Sequence, residues 1–312
     1  MRGSEFYTAA VPRPARAGRH RPRTWSAALL APLAALVTAC GNAPPASGTS
    51  GADRPAGAST AQAAPDRTAA HHATAVDVLY AGSLTTIMED QVGPAFDRAT
   101  GDTFVGFAGG SKGLVTDIKG GLMQADVFVS ASPAVNSLLE GRANGDWVSG
   151  YTDLGISPLV IGYNPSSRFA GALRRGPWYR VVAEPGFSLG RTDPAVDPKG
   201  QLSVDALDTA ARLFHEPVLE ADATTTRDVF PEESLVGRLQ SGQLDAGFFY
   251  TVEARAAHFP YVGLPGFHYG ATYTVAKVNR APHPVAAAAF VAFLRGRAGA
   301  RILAADGLEV QS

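Results

Sequence analysis

The sequence has a single cysteine in 312 residues, so it can form no intrachain disulfide and no cysteine-based zinc cluster. Charge is scarce as well, at 18% of residues. The formal net charge of −1 excludes a nucleic-acid binder held by bulk charge. No apolar run reaches the ~18 residues an ordinary transmembrane helix needs. Apolar content is plentiful instead: 46% of residues are hydrophobic, enough to build a core and to exclude wholesale disorder. The length suits two lobes of common size.

The composition is uneven along the chain. Arg2, Arg13, Arg16, Arg19, Arg21 and Arg23 face one acid, Glu5, and an apolar stretch runs from Trp25 to Val37. That stretch is too short to span a bilayer but suits the core of a signal peptide. It ends Leu36-Val37-Thr38-Ala39-Cys40, with small residues just before the lone cysteine. This resembles a bacterial lipoprotein signal, which implies cleavage after residue 39, a lipid on Cys40 and tethering at the outer face of a cell membrane. Removal of residues 1–39 leaves 21 basic and 27 acidic residues, a net charge of −6. An anionic ligand must then be held by local dipoles, not by overall charge. Residues 40–75 are rich in Ala, Pro, Gly, Ser and Thr. They read as a disordered linker with a reach of about 30–35 Å. His71 and His72 fall in that linker and read as ordinary linker residues, not as a metal tract.

The globular pattern begins at Val76. Residues 76–80 read as a buried strand, followed by a small-residue turn and a helix over residues 87–96. Strands over 104–107 and 125–131 alternate with helices over 114–122 and 133–139. This βα alternation predicts a parallel, doubly wound sheet. Residues 157–164 read as a crossover into a second lobe. That lobe has strands over 187–191 and 245–250 and helices over 202–214 and 231–239. A strand over 272–276 and a helix over 284–294 close the chain.

Ser83 and Ser111 each follow a strand and open a helix, flanked by glycine. At the carboxyl edge of an open α/β sheet, such positions offer a hydroxyl and backbone N–H groups to an oxyanion. They suit ordinary N-cap serines equally well. Gly109-Gly110-Ser111-Lys112-Gly113 also matches the G-x-S-x-G pattern of a hydrolase, but His215, His258, His268 and His283 stand in no recognisable triad context. The full phosphate-loop pattern is absent.

Three segments then occur in order: Tyr80-Ala81-Gly82-Ser83-Leu84, Gly109-Gly110-Ser111, and Ala125-Asp126-Val127-Phe128-Val129-Ser130-Ala131. The second half adds Trp178-Tyr179-Arg180, the run from Gly190-Arg191-Thr192-Asp193-Pro194 to Asp197-Pro198-Lys199-Gly200, and Leu244-Asp245-Ala246-Gly247-Phe248-Phe249-Tyr250. This ordered set resembles the molybdate/tungstate-binding proteins of ABC importers, nearest the tungstate-type branch, from about Ala75 to the C-terminus.

The resemblance implies an α/β, two-lobed periplasmic-binding-protein fold of type II, each lobe a doubly wound mixed sheet flanked by helices. Lobe 1 would comprise residues 76–157 and 271–312, and lobe 2 residues 158–270. It implies that Ser83 and Ser111 are ligands to an oxyanion, that main-chain N–H groups near Lys199 and Glu232 donate to it, and that the Tyr250 hydroxyl completes the shell. The same resemblance implies a monomeric receptor that delivers molybdate or tungstate to ABC permease subunits, with no cofactor, no catalysis and no nucleic acid.

Two departures bear on coordination. In the tungstate-type branch a carboxylate in the Asp-Pro turn and a Glu just before the tyrosine approach the metal. Asp197 fits the first, but Phe249 stands at the second, and Lys199 replaces a residue that is usually small. The expectation is therefore a four-coordinate oxyanion held by neutral donors, with Asp197 accepting a bond from Lys199 or a neighbouring N–H. The alternatives are a receptor of the same fold for sulfate, phosphate or an organic acid, and a serine hydrolase built on Ser111.

Overall fold

A computed structural model of the chain describes residues 73–310. The expected signal peptide, Cys40, His71 and His72 lie outside the described residues, as does all but the end of the expected linker. No helix among the described residues is long and apolar enough to cross a membrane.

Eight strands form the frame: β1 (Ala75–Ala81), β2 (Thr103–Gly109), β3 (Val127–Ser130), β4 (Thr152–Tyr163), β5 (Leu189–Gly190), β6 (Ala246–Tyr250), β7 (Tyr261–Val262) and β8 (Gly270–Lys277). Their order is β2-β1-β3-β8-β4-β6-β5, with β7 also on β4. β1, β2 and β3 are parallel, as the βα alternation predicts. β8 runs antiparallel to both β3 and β4, so the sheet is mixed, not parallel throughout. The reason is chain direction: β8 returns from the second lobe and enters the first sheet from the opposite end.

β4 joins the two lobes. Thr152 to Pro158 pair with β8, while Leu159 to Tyr163 pair with β6. The change falls at Pro158, which has no N–H to give to a ladder. β5 then lies parallel to β6.

The strands are apolar on both faces because both faces are covered. In β3, Val127 and Val129 enter the main core cluster while Phe128 enters another beside Leu114, Ile118 and Val135. β6 alternates likewise: Phe248 and Tyr250 face the main cluster, and Phe249 faces Val160, Leu235, Leu244 and Phe259.

The helix after β1 is not uniform. A 3₁₀ turn, Gly82–Leu84, runs into Thr85–Ile87, a π-helical stretch Met88–Val92 and helix Gly93–Thr100. Pro94 cannot donate to the preceding turn, and the wider π spacing precedes it. β1 and β2 pair in register to their ends, Ala81 opposite Gly109. Both helix starts, at Gly82 and Ser111, therefore lie at one level of the sheet edge.

Candidate oxyanion site between the lobes

Five elements carry the predicted residues: the turn after β1, three helices and β6. Ser83 lies in the turn after β1, and its Oγ is 2.8 Å from the hydroxyl of Tyr273 in β8. Ser111 opens helix Ser111–Gly120, and its Oγ accepts from the Ala131 N–H at 3.2 Å. Neither serine is an N-cap: the positions before these two helical segments are Ala81 and Gly110. Both hydroxyls are buried.

The second lobe supplies acids. Asp197 is the N-cap of helix Pro198–Phe214, and its Oδ1 accepts from the Lys199 N–H at 2.9 Å. Its Oδ2 is buried with no hydrogen-bond partner. Asp197 therefore shapes the turn and still turns one oxygen elsewhere. Glu232 opens helix Glu232–Gln240, and both its carboxylate oxygens are buried without hydrogen-bond partners. Its Cβ, Cγ and Oε2 press against Gly82 of the first lobe, so closely that a Cβ on Gly82 would lie 3.0 Å from Glu232 carbons. Tyr250 ends β6, fully buried, its hydroxyl without a partner.

Lys199 is fully buried, which a lysine tolerates only when paired. Its Nζ donates to Glu253 Oε1 at 3.0 Å and Oε2 at 2.8 Å, and lies 3.3 Å from Glu232 Oε1. The last is an ion-pair contact without hydrogen-bond alignment. The Lys199 N–H expected to reach a ligand is instead taken by Asp197.

The electrostatics follow from burial. Desolvation, reinforced by Asp197, pushes the Glu232 carboxyl up to about 8 against the pull of Lys199. Desolvation likewise raises Glu253 to about 7, again opposed by Lys199. Asp197 is raised by burial, with Lys199 pulling it down. Burial opposes the charge on Lys199, yet Glu253, Glu232 and Asp197 together hold its ammonium above the ordinary lysine range. Burial also lifts the Tyr250 and Tyr273 hydroxyls, so both remain protonated donors.

This corrects the expectation of neutral donors alone: carboxylates line the site. Phe249 is no substitute for a missing acid. It points to the other face of β6 and packs on Phe259 at 4.7 Å between ring centroids. Strand alternation decides this, since neighbours of Tyr250 along β6 face away from it. The buried acid that lies against Gly82 is Glu232, distant in sequence from the strand.

Thr192, Glu253 and Tyr273 stand beside these residues but escape the sequence reading. Thr192 sits inside the run Gly190–Gly200, and its buried hydroxyl has no partner. Glu253 had one signal, its place three residues into the helical segment that follows β6. Tyr273 had none, because β8 reads as an ordinary core strand.

The lobes meet across this site. The Val196 carbonyl accepts from the N–H groups of Lys112 at 2.9 Å and Gly113 at 3.1 Å, and Lys112 Nζ donates to the Pro194 carbonyl. Gly110 is required there: a Cβ would lie 2.7 Å from the Val196 oxygen. Outside the contact, a cleft of about 490 Å³ is lined by Gly109, Gly110, Thr192, Asp197 and Glu232.

A hydrolase at Ser111 needs a base on that hydroxyl, and its Oγ is bonded instead to a backbone N–H. His283 pairs with Asp126, at the starts of β1 and β3 and so at the opposite end of the sheet from Ser111. Among the described residues, no histidine bonds Ser111.

The model for the bacterial extracellular solute-binding protein family matches residues 76–309. The chain belongs to that family. Among its relatives, an uncharacterized solute-binding protein of Halobacterium salinarum is 31% identical over 67% of this chain and 66% of its own length. A putative ABC transporter molybdenum-binding protein of Haloferax volcanii is 29% identical over 62% of this chain and 60% of its own. The molybdate/tungstate-binding protein WtpA of Pyrococcus abyssi is 27% identical over 38% of this chain and 43% of its own. The chain thus spans about three fifths to two thirds of the length of the first two relatives. Among solved structures, the periplasmic molybdate-binding protein of Azotobacter vinelandii superposes with a TM-score of 0.61 at 19% identity. That superposition covers 76% of this chain and all of that one, and it establishes the two-lobed fold of periplasmic binding proteins.

Proposed function

We propose that this solute-binding protein captures a tetrahedral oxyanion, molybdate or tungstate, between its lobes and delivers it to the permease of an ABC importer. One observation carries this reading. Asp197 Oδ2, both Glu232 oxygens and the Tyr250 hydroxyl are buried at the lobe interface without hydrogen-bond partners. A buried polar atom left unpaired costs about 1–3 kcal/mol, so an array of them is matched to something that binds.

The donors suit an oxyanion. Ser83, Ser111, Thr192 and Tyr250 supply hydroxyls, and hydrogen bonds from such groups to a dianion are charge-assisted and strong. The acids choose among oxyanions. A carboxylate oxygen facing sulfate or phosphate is repelled unless it is protonated. Molybdenum and tungsten accept further oxygen ligands, so Asp197 and Glu232 turn from a penalty into bonds. We therefore replace the expected four-coordinate site with one in which these two carboxylates approach the metal of the cargo. The names of the Haloferax and Pyrococcus relatives support the same ligand class. Binding would bridge the lobes and favour the closed form by its differential affinity.

The family's extracellular character and the sequence before Cys40 together support a protein tethered outside the cytoplasm by a lipid on that cysteine.

Calorimetric titration of the full chain with molybdate, tungstate, sulfate and phosphate tests the reading. Tight one-to-one binding of the first two, with the others silent, is expected. Binding of sulfate or phosphate in preference would overturn the assignment of the carboxylates and favour the alternative receptor.

A further inference from the structure

The site holds three buried acids, Asp197, Glu232 and Glu253, around one ammonium. Two of them present unpartnered oxygens toward the lobe interface, where a dianion is proposed to bind. Such an arrangement carries too much negative charge unless a fixed cation balances it. Lys199 is the one cation within ion-pairing distance of both Glu232 and Glu253 among the described residues.

Its geometry says what it does. A lysine ammonium has three donors. Here two are directed at the two oxygens of Glu253, and the third side of Nζ faces Glu232 Oε1 at 3.3 Å. Its hydrogen bonds thus go to Glu253, and its charge faces Glu232. The ammonium stands behind the Glu232 carboxylate while the Glu232 side chain reaches Gly82 in the other lobe. Glu253 is itself anchored, accepting from the Tyr250 N–H at 3.3 Å. The chain from Tyr250 through Glu253 and Lys199 to Glu232 therefore ties the end of β6 to the start of helix Glu232–Gln240. A purely structural ion pair would explain Lys199 and Glu253 alone. It would not explain why the same ammonium also holds a carboxylate whose oxygens are otherwise unsatisfied.

We propose that Lys199, partly neutralised by Glu253, is the counter-charge that lets the acids of this site face an oxyanion. Lys199 is on this view a positioning residue, not a ligand. The inference rests on the oxyanion reading of the site.

Calorimetric titration of the full chain with tungstate tests it, using Lys199→Met, Glu253→Gln and the double variant, each checked for folding by thermal unfolding. Lys199→Met removes the cation at similar volume and should weaken binding about tenfold or more. Glu253→Gln keeps the acceptor for Tyr250 and releases the cation from its partner, so binding should tighten about threefold or more. The double variant removes both charges and should recover to within about threefold of the wild type, a rescue that a packing role for Lys199 does not provide. Unchanged binding in Lys199→Met, or a double variant as weak as Lys199→Met, would overturn the proposal. So would unchanged or weaker binding in Glu253→Gln, which decides the matter if Lys199→Met does not fold. A wild type silent to tungstate and molybdate would instead overturn the oxyanion reading itself.

Discussion

The hydroxyls of Ser83 and Tyr273 meet at 2.8 Å, joining residues 190 positions apart in a buried contact. Tyr273 also stacks edge-on with Tyr250, with ring centroids 5.9 Å apart. One strand of the first lobe therefore orients the serine in the turn after β1 and supports the tyrosine that ends β6. Replacing Tyr273 with Phe removes the hydroxyl but keeps the ring. Tungstate affinity should fall by about 1 kcal/mol as Ser83 loses its orientation, and Ser83→Ala should cost about 1–3 kcal/mol. Equal affinity in both variants and the wild type would remove Ser83 from the site.

Ser111→Ala should also weaken binding by about 1–3 kcal/mol through a lost charge-assisted bond. The Ala131 N–H loses its acceptor in the same variant, so its melting temperature should fall as well. A variant that loses stability and keeps full affinity would leave Ser111 with a structural role only.

Glu232→Gln separates binding from stability. Its buried carboxylate, paired with Lys199 but accepting no hydrogen bond, costs the ligand-free fold at alkaline pH, where it must ionise. The glutamine variant should therefore be more stable than the wild type near pH 9 and bind tungstate more weakly at every pH. Thermal unfolding and calorimetry read the two effects. A variant both less stable and equally tight would show that Glu232 serves the fold and not the ligand.

Stability of the ligand-free protein should fall as pH rises from about 5 to 9. Glu232 at about 8 and Glu253 at about 7 stand above their ordinary value near 4.5. Between those limits the folded chain holds more protons than the unfolded one, so each unit of pH gained favours unfolding. The stabilisation is complete below the ordinary value and is lost as pH passes through the raised ones. The loss is on the order of a few kcal/mol. A flat or rising melting temperature across that interval would contradict the buried placement of these acids.

Gly110→Val tests lobe closure. Its Cβ would lie 2.7 Å from the Val196 carbonyl oxygen, nearer than real contacts allow. The cost of about 1–3 kcal/mol falls on the closed arrangement. Small-angle scattering should report a larger radius of gyration and calorimetry a weaker tungstate affinity. An unchanged radius would show that the contact between Lys112 and Val196 yields without opening the lobes.

The sequence by itself determined the frame and most of the cast. Its βα alternation placed Ser83 and Ser111 at strand ends, because apolar period and small-residue turns are local signals. The Asp-Pro turn was legible for the same reason, but the helix was expected only from residue 202, whereas Asp197 caps one that starts at Pro198. The mixed direction of the sheet was not legible in the βα alternation and came only with the family resemblance, since strand orientation depends on how the chain returns from the second lobe. Nor was the source of the second acid. Local order suggested the residue beside Tyr250, yet strand alternation turns Phe249 into the core, and the packing of the lobes carries Glu232 to Gly82. The role of Lys199 was hidden likewise. The resemblance placed its main-chain N–H at the ligand, and only the tertiary fold, by burying the ammonium beside Glu232 and Glu253 from other elements, gave its charge a role. Charge balance inside a protein is a property of what is packed together, and sequence spacing does not record it.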